Sequence, residues 1–286
     1  MTRNSAEGSP RIAVVIPTLN SARTLGACLD SLISQDVRPN ELVIVDDVRT
    51  KDETRSIGES WGARVVVSPA GMADSRNVGV AHTSSEVILH LDSDMIVEPG
   101  LIQTLIELFR EDDGPDAATV AEASVGTGYW WRARALDKAG VEATGYGRSA
   151  RVCTRELFDR VGGYDGKLEA GEDTDFHRRA LSAGARVAHV KQPRILHDDG
   201  RMSLMIAFRK KRRYGLSVAT FDAKHGTGSL GQGWGRRIVR GALIGIRADP
   251  MAVPGLVILK LADAAGALVG KLAANSKSSA RYRMDP

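Results

Sequence analysis

Three apolar, β-branched runs, each halted by polar turn chemistry, constrain this chain more than any other feature. Arg11–Ile16 runs into Pro17-Thr18-Leu19-Asn20, Glu41–Val45 into Asp46-Asp47, and Glu86–Leu91 into Asp92-Ser93-Asp94. Runs of that length and composition read as buried strands. After the first, Leu25, Cys28, Leu29, Leu32 and Ile33 recur at helical spacing, and Asn20 or Ser21 can cap that helix. A polar helix around Lys51–Trp61, a strand at Ala63–Val67, a loop at Ser68–Gly71 and a helix at Met72–Thr83 carrying Asp74, Arg76 and Asn77 follow. Strands alternating with helices in this way indicate βαβ units and a largely parallel sheet. Ligands of such sheets sit outside the carboxyl ends of the strands, where Thr18, Asp46, Asp47, Asp92 and Asp94 all fall. An ionised carboxylate is costly to bury unless it is paired or coordinates a metal. Two of them one residue apart suit a divalent cation that prefers oxygen ligands. Taken alone, Asp92-Ser93-Asp94 reads equally as an acidic turn closing a strand.

Downstream, the pattern predicts a helix at Pro99–Arg110, an acidic loop at Glu111–Asp116 and a strand at Ala117–Ala121. An aromatic and basic patch, Tyr129–Arg134, and a flexible loop, Gly145–Arg148, come next. A short strand at Arg151–Cys153, a helix at Arg155–Val161 and a Gly162–Asp165 turn lead to Glu169, Glu172, Asp173 and Asp175. These acids lie at the start of a helix predicted over Thr174–Ala183, where the macrodipole favours negative charge. Capping accounts for one acid and not for four. A strand is predicted at Arg186–Val190, and Ile195-Leu196-His197-Asp198-Asp199 follows after Pro193.

The chain has 286 residues, 43% of them hydrophobic, enough for one large α/β domain with an appendage or for two modest domains. Two cysteines, Cys28 and Cys153, make no disulfide framework and point to a reducing compartment. Met1–Pro10 is polar and has no apolar h-region, so no signal peptide is expected. The net charge of +4 conceals an asymmetry. Residues 201–286 hold 16 Lys/Arg against 4 Asp/Glu, leaving 23 against 31 for the rest. An acidic body with a basic tail calls for an anionic partner surface, or for a tail that is merely solvated.

Six segments together resemble family 2 of the glycosyltransferases. They are Val14-Val-Ile-Pro-Thr-Leu-Asn20, Val45-Asp-Asp47, Ala73-Asp-Ser-Arg-Asn-Val-Gly79, Leu91-Asp-Ser-Asp94, Val161-Gly-Gly-Tyr-Asp165 and Gly171-Glu-Asp173. The resemblance covers roughly residues 10–200, and the segments come in the family's order and spacing. It implies the GT-A fold: a Rossmann-like, mostly parallel sheet flanked by helices, binding a nucleotide-sugar donor. Pro17, Thr18, Asn20, Asp46 or Asp47, Arg76, Asp92 and Ser93 would then line the donor pocket. Asp94 would bind Mg²⁺ or Mn²⁺ directly, with Asp92 shared between ribose and metal, and the ion would neutralise charge developing on the leaving diphosphate. Family members invert the anomeric carbon, which needs one general base. Asp173 takes that role, while Glu172 beside it tunes its proton affinity or holds the acceptor. His197 is either a further metal ligand or a hydrogen-bonding surface residue; His90, inside a strand, reads as structural. Where the family usually has Gly-Ser after the Asp pair, this chain has Val48-Arg49-Thr50, which puts the nucleobase contact in question. The Gln-x-x-Arg-Trp motif of processive synthases is absent, which favours single addition.

The tail reads as a C-terminal basic amphipathic extension. Met202–Phe208 leads into Arg209-Lys-Lys-Arg-Arg213, and Gly255–Leu272 is apolar except for Lys260, Asp263 and Lys271. At ~100° per residue those three share a narrow face, opposite an arc of Leu259, Leu261, Ala265, Leu268, Val269 and Leu272. Charges inside such a run disfavour spanning a bilayer and favour lying in its interface. Alternatively these helices pack on the catalytic domain or form a homodimer. Nucleic acid is not expected, since the basic stretch has few aromatics.

The expected organisation is a disordered segment at 1–10 and a catalytic domain at 11–200, its nucleotide-sugar half 11–98 and its acceptor half 99–200. A basic helical region at 201–275 and a flexible tail at 276–286 complete it. The expected function is metal-dependent, inverting transfer from a nucleoside-diphosphate sugar, UDP-sugar foremost, to a saccharide or lipid-linked acceptor. The expected location is the cytoplasm, peripheral at the inner face of the cell membrane. Trp130, Trp131 and Arg132 serve in this reading as acceptor contacts, or else as an aromatic core cluster. The rivals are a sugar-phosphate nucleotidyltransferase and a non-catalytic binding protein of the same fold.

Overall fold

All seven residues of β1 (Ile12–Thr18) are buried, and their two faces feed two separate cores. Ile12, Val14 and Ile16 pack with Leu25, Leu29 and Leu32 of α1 (Ala22–Ile33) and with Leu101, Leu105 and Phe109 of α4 (Leu101–Arg110). Val15 faces the other core, with Ala73 and Val80 of α3 (Met72–Ala81), Phe158 of α6 (Arg155–Val161) and Phe176 of α7 (Glu172–Ser182). Helices on both faces of a strand buried on both sides are what its unbroken β-branched run requires. Gly79 lets α3 lie close on the sheet, since a Cβ there would meet the Val15 side chain.

The structure, a computed structural model, describes residues 8–68, 71–111, 113–168, 170–226 and 233–282. The segments expected at 1–10 and 276–286, the loops at 68–71 and 111–116, and Glu169 lie wholly or partly outside those ranges. The sheet runs β3-β2-β1-β4-β7-β6-β8-β5. In it β1, β2 (Glu41–Asp47), β3 (Arg64–Ser68) and β4 (Val87–His90) are parallel. β7 (Val152–Thr154) pairs antiparallel with β4 and with β6 (Ala117–Thr127), and β5 (Met95–Val97) pairs antiparallel with β8 (Val187–Arg201). The parallel register sets Thr18 beside Asp46 and Asp47 beside Ser68, so the acids collect at one end of the sheet. The helix-flanked sheet is as expected, parallel across β3-β2-β1-β4 and continuing through the antiparallel pairings of β7 with β4 and β6 and of β5 with β8. β6 and β8 are longer than the sequence pattern predicts, and β8 joins the two segments expected on either side of Pro193 into one strand.

The chain forms two units. The first comprises Met1–Glu122, Ser149–Gly166 and Glu172–Asp198; the second, Ala123–Arg148, Lys167–Gly171 and Asp199–Pro286. The second is built on α5 (Tyr129–Thr144), α8 (Leu204–His225), α9 (Trp234–Ala248) and α10 (Val253–Tyr282). Tyr129–Arg134, expected only as a patch, opens the sixteen-residue helix α5.

Lys260 and Asp263 share one face of α10 as expected, but that face is turned inward rather than toward water. Lys260 Nζ donates to Asp137 (3.0 Å) and to Asp263 (2.7 Å). Arg134 reaches Asp137 (3.2 Å) and Asp263 (3.5 Å), and Arg237 reaches Asp137 (3.2 Å). Burial alone would push the Asp137 pKa up, but Lys260, Arg237 and Arg134 outweigh it and hold it down at about 2. A carboxylate depressed in the folded state gives stability above its ordinary pKa of about 3.9 that is lost as pH falls toward the folded value. The second unit is therefore expected to weaken between about pH 4 and pH 2. Asp137→Ala, which takes from Arg237 its carboxylate and leaves Lys260 and Arg134 to share Asp263, is expected to cost about 3–5 kcal/mol at neutral pH, read from a denaturant midpoint.

Candidate active site

Asp92 follows β4 directly and is gripped by two arginines from distant parts of the first unit. Arg76 Nη2 lies 2.8 Å from Asp92 Oδ1, and Arg151 Nη1 lies 3.5 Å from Oδ2. Arg76 also donates through Nη1 to Glu172 Oε1 at 2.6 Å, bridging the acid after β4 to the first residue of α7. Arg151 in turn donates to Glu122. Arg76 is buried, with its Cζ 5.3 Å from the centre of the Tyr164 ring.

Desolvation opposes both charges of the Arg76–Asp92 pair, yet each holds the other ionised. Asp92 sits well below the usual carboxylate range because Arg76 and Arg151 overcome its burial. Glu172 goes the other way: burial first, and then the neighbouring Asp173, raise its pKa against the pull of Arg76. Two carboxylates on one guanidinium are thus pushed apart in proton affinity, as acid–base work requires.

Tyr164 is placed by the Gly162–Asp165 turn. Asn77 imitates a backbone partner there, donating to Tyr164 O and accepting from Tyr164 N, both at 2.8 Å. Gly163 has φ +66°, and a Cβ would come within 2.7 Å of Asn77 Oδ1, so glycine suits this position. Phe158, Tyr164 and Phe176 pack into a ring cluster that includes His90, whose burial and proximity to Arg76 push its pKa down to about 3. His90 is thereby a neutral, buried residue, consistent with a structural role.

Beyond Asp92, Ser93 donates to Ser21 Oγ (2.8 Å) and Asp94 is half exposed. The antiparallel β5–β8 register sets His197 opposite Met95, which brings His197 Nε2 to 3.0 Å from Asp94 Oδ2. Among the described residues no group of three His, Cys, Asp or Glu side chains could hold a metal ion. One carboxylate oxygen and one imidazole nitrogen side by side nonetheless fit a divalent cation that draws its other ligands from water or donor phosphates, and the imidazole suits Mn²⁺ better than Mg²⁺.

At the neighbouring strand ends, Asp46 is fully enclosed. It accepts from Thr18 Oγ1 (2.8 Å), Thr50 Oγ1 (2.6 Å) and Arg55 Nε (2.6 Å). Asp47 is held by the backbone NH and the guanidinium of Arg49 at 2.6–2.9 Å, and that pairing lowers its pKa. The unusual Val48-Arg49-Thr50 loop therefore folds back onto both aspartates. Pro17 lies within β1 just before its last residue, Thr18, and Asn20, at φ 52°, accepts from Lys51 N at 2.8 Å. Asp173 lies in the first turn of α7 and accepts from Thr174 N at 2.7 Å. Trp130, Trp131 and Arg132 belong to α5 in the second unit. The two tryptophans pack against Ala133, Met202 and Leu259, and Arg132 pairs bidentately with Asp249. Sequence reasoning missed Arg151, which lies 59 residues from Asp92 and carries no local signal, and it treated Tyr164 only as part of a turn.

A mixed sheet with helices on both faces and acids gathered at the carboxyl ends of its parallel strands defines a GT-A type α/β protein. The chain belongs to the glycosyl transferase family 2, whose sequence profile matches residues 13–167. It is 29% identical over 237 residues to the pre-mycofactocin glycosyltransferase of Mycobacterium tuberculosis, an alignment spanning 75% of this chain and 48% of that one. It is 24% identical over 225 residues to the hyaluronan synthase of Pasteurella multocida, spanning 72% of this chain and 22% of that one. The chain thus spans about half or less of these relatives' length. Among solved structures, the mannosyltransferase PcManGT of Pyrobaculum calidifontis, in complex with GDP-Man and Mn²⁺, superposes with a TM-score of 0.55 at 20% identity. That match covers 98% of this chain and 82% of that one.

Proposed function

We propose that the protein transfers a sugar, with inversion, from a nucleoside-diphosphate sugar to an acceptor hydroxyl or phosphate. A UDP-sugar is the favoured donor, with GDP-mannose, the ligand of PcManGT, next. The observation that carries the reading is the Arg76 bridge, which joins the strand-end Asp92 to Glu172 beside Asp173. Asp94 and His197, with Asp92 behind them, would hold Mn²⁺ or Mg²⁺. When bound, the ion supplies positive charge against the diphosphate as it leaves. Thr18 and the Asp46–Asp47 pair form the nucleoside end, where Arg49 must move if a base is to reach Asp47.

Asp173 takes the proton of the acceptor hydroxyl as its oxygen bonds to the anomeric carbon. The bond from that carbon to the diphosphate oxygen breaks, and the nucleoside diphosphate departs with the electron pair. Glu172, fixed by Arg76, keeps the base in place beside Asp92. The reading includes a saccharide or lipid-linked acceptor and a peripheral location at the inner face of the cell membrane.

Donor identity is tested by thermal shift with a panel of nucleotide sugars, each with and without Mn²⁺. A true donor at about a hundred times its Kd adds about 2.7 kcal/mol and raises the midpoint. That rise is expected from one nucleotide class and to need Mn²⁺. A panel that leaves the midpoint unmoved throughout removes the donor reading.

A further inference from the structure

The second unit buries an ion-pair network and leaves two rows of large aliphatic side chains exposed. Val257, Ile258, Leu261, Leu268, Val269 and Leu272 form an exposed ridge along α10, with Leu261 62% and Leu268 58% exposed. On α9, Val239, Leu243 and Ile246 form a second ridge at i, i+4 and i+7. The inward faces carry the Asp137–Lys260–Asp263 network and glycines beside two small apolar clusters, one around Ala133, Ala207 and Leu259 and one around Leu136, Ala252 and Leu256.

Gly241 and Gly245 of α9 pack on Leu136 of α5, and Gly266 and Gly270 of α10 pack on the backbone of Phe208 and Arg212 in α8. Both pairs have the spacing Gly-x-x-x-Gly. Close backbone packing through small residues, with buried ion pairs, is how helices associate where aliphatic burial gives no drive, as beside lipid.

The exposed charges all have one sign. Among the described side chains of residues 199–274, Arg201, Arg209, Lys210, Arg212, Arg213, Lys224, Arg236, Arg240 and Arg247 are exposed, whereas no aspartate is. The acids are drawn into pairs such as Asp249 with Arg132, Asp222 with Lys271, and Asp263 with Lys260. Arg236, Arg240 and Arg247 border the aliphatic ridge of α9, Arg236 three residues before Val239, Arg240 one after it and Arg247 one after Ile246.

Pro250–Ala274 is long and apolar enough to cross a bilayer by length and composition. Spanning would, however, carry Arg212 and Arg213 of α8 into hydrocarbon, since Arg212 packs against Gly270 within that stretch. An aliphatic ridge bordered by arginines instead fits the plane of a leaflet.

We propose that α9 and α10 form a monotopic docking face for an anionic lipid bilayer, the aliphatic ridges entering the acyl layer and the arginine row meeting the headgroups. The proposal rests on the membrane-face part of the proposed function and gives that part a surface. It also reverses the role of the α10 charges, which lock the helices together rather than face water.

The test is co-sedimentation of the full chain with phosphatidylcholine vesicles, with and without phosphatidylglycerol. The full chain is expected to pellet with the anionic vesicles only. Leu261→Glu/Leu268→Glu and Arg236→Glu/Arg240→Glu, both at exposed positions, are each expected to weaken that binding at least about tenfold. Circular dichroism checks that the variants are folded, and the donor-induced thermal shift is expected to stay as in the parent chain. Loss of that shift in the parent with vesicle binding intact would count against the catalytic reading and leave the docking face standing. Binding that survives both double substitutions overturns the proposal. So does a chain that ignores anionic vesicles and instead dimerises through the face that Leu261→Glu/Leu268→Glu disrupts.

Discussion

Replacing Asp173 by Asn is expected to lower the turnover of sugar transfer by about 10²–10⁴-fold, the usual contribution of a positioned general base. Donor binding is expected to change little. Asn is nearly isosteric and retains an oxygen to accept from Thr174 N, a contact of 2.7 Å in the parent, so the first turn of α7 keeps its satisfied donor. What Asn cannot do is take the acceptor's proton. The loss should therefore fall on kcat, with KM for the donor and the unfolding midpoint near their parent values. A variant that instead unfolds earlier and keeps its turnover would make Asp173 a helix-capping residue and move the base elsewhere.

Arg76→Met is expected to damage both folding and transfer. The substitution leaves Asp92 and Glu172 partly or fully buried beside Asp173 with their shared cation gone. Removing one partner of a buried pair costs about 3–5 kcal/mol. The sign of its pH dependence follows from the two carboxylates. In the parent, Asp92 is depressed, so its contribution is present at neutral pH and is lost as pH falls below the ordinary carboxylate range. In the variant Asp92 keeps only Arg151 and Glu172 loses its guanidinium, so both acids bind protons more tightly than in the parent and part of the lost stability recovers as pH falls. The deficit relative to the parent is expected to be largest near pH 7 and to shrink toward about pH 5 in denaturant titrations. Arg76→Lys retains the charge but not the fork that reaches two carboxylates at once, so transfer should remain impaired where stability partly returns.

How far the sequence discloses this site depends on whether a contact is local. The acids closing the β2 and β4 runs were legible because a buried β-branched run that stops at a carboxylate has few structural meanings. The altered loop after Asp47 was visible as a departure, but not that Arg49 would fold back onto Asp47 and Thr50 onto Asp46. His197 was legible only as a candidate; its contact with Asp94 depends on antiparallel pairing between strands about a hundred residues apart. Arg151 was invisible for the same reason.

Helix α5 escaped because its buried positions, Ala133, Leu136, Asp137 and Gly140, have helical spacing but include an acid and a glycine. Apolar periodicity does not register such a face. Lys260 and Asp263 were grouped correctly on one side of α10, yet the direction of that side was set by Asp137 and Arg134 from far upstream.

The central proposal is that a divalent cation at Asp94 assists departure of the diphosphate. The direct measurement is nucleoside diphosphate released from the selected donor and acceptor, followed in Mn²⁺, in EDTA, and in EDTA with Mn²⁺ restored. Release is expected to stop in EDTA, to return with Mn²⁺, and to fall at least about 10²-fold in Asp94→Ala at the same Mn²⁺ concentration. Release undiminished both by EDTA and by Asp94→Ala would contradict it.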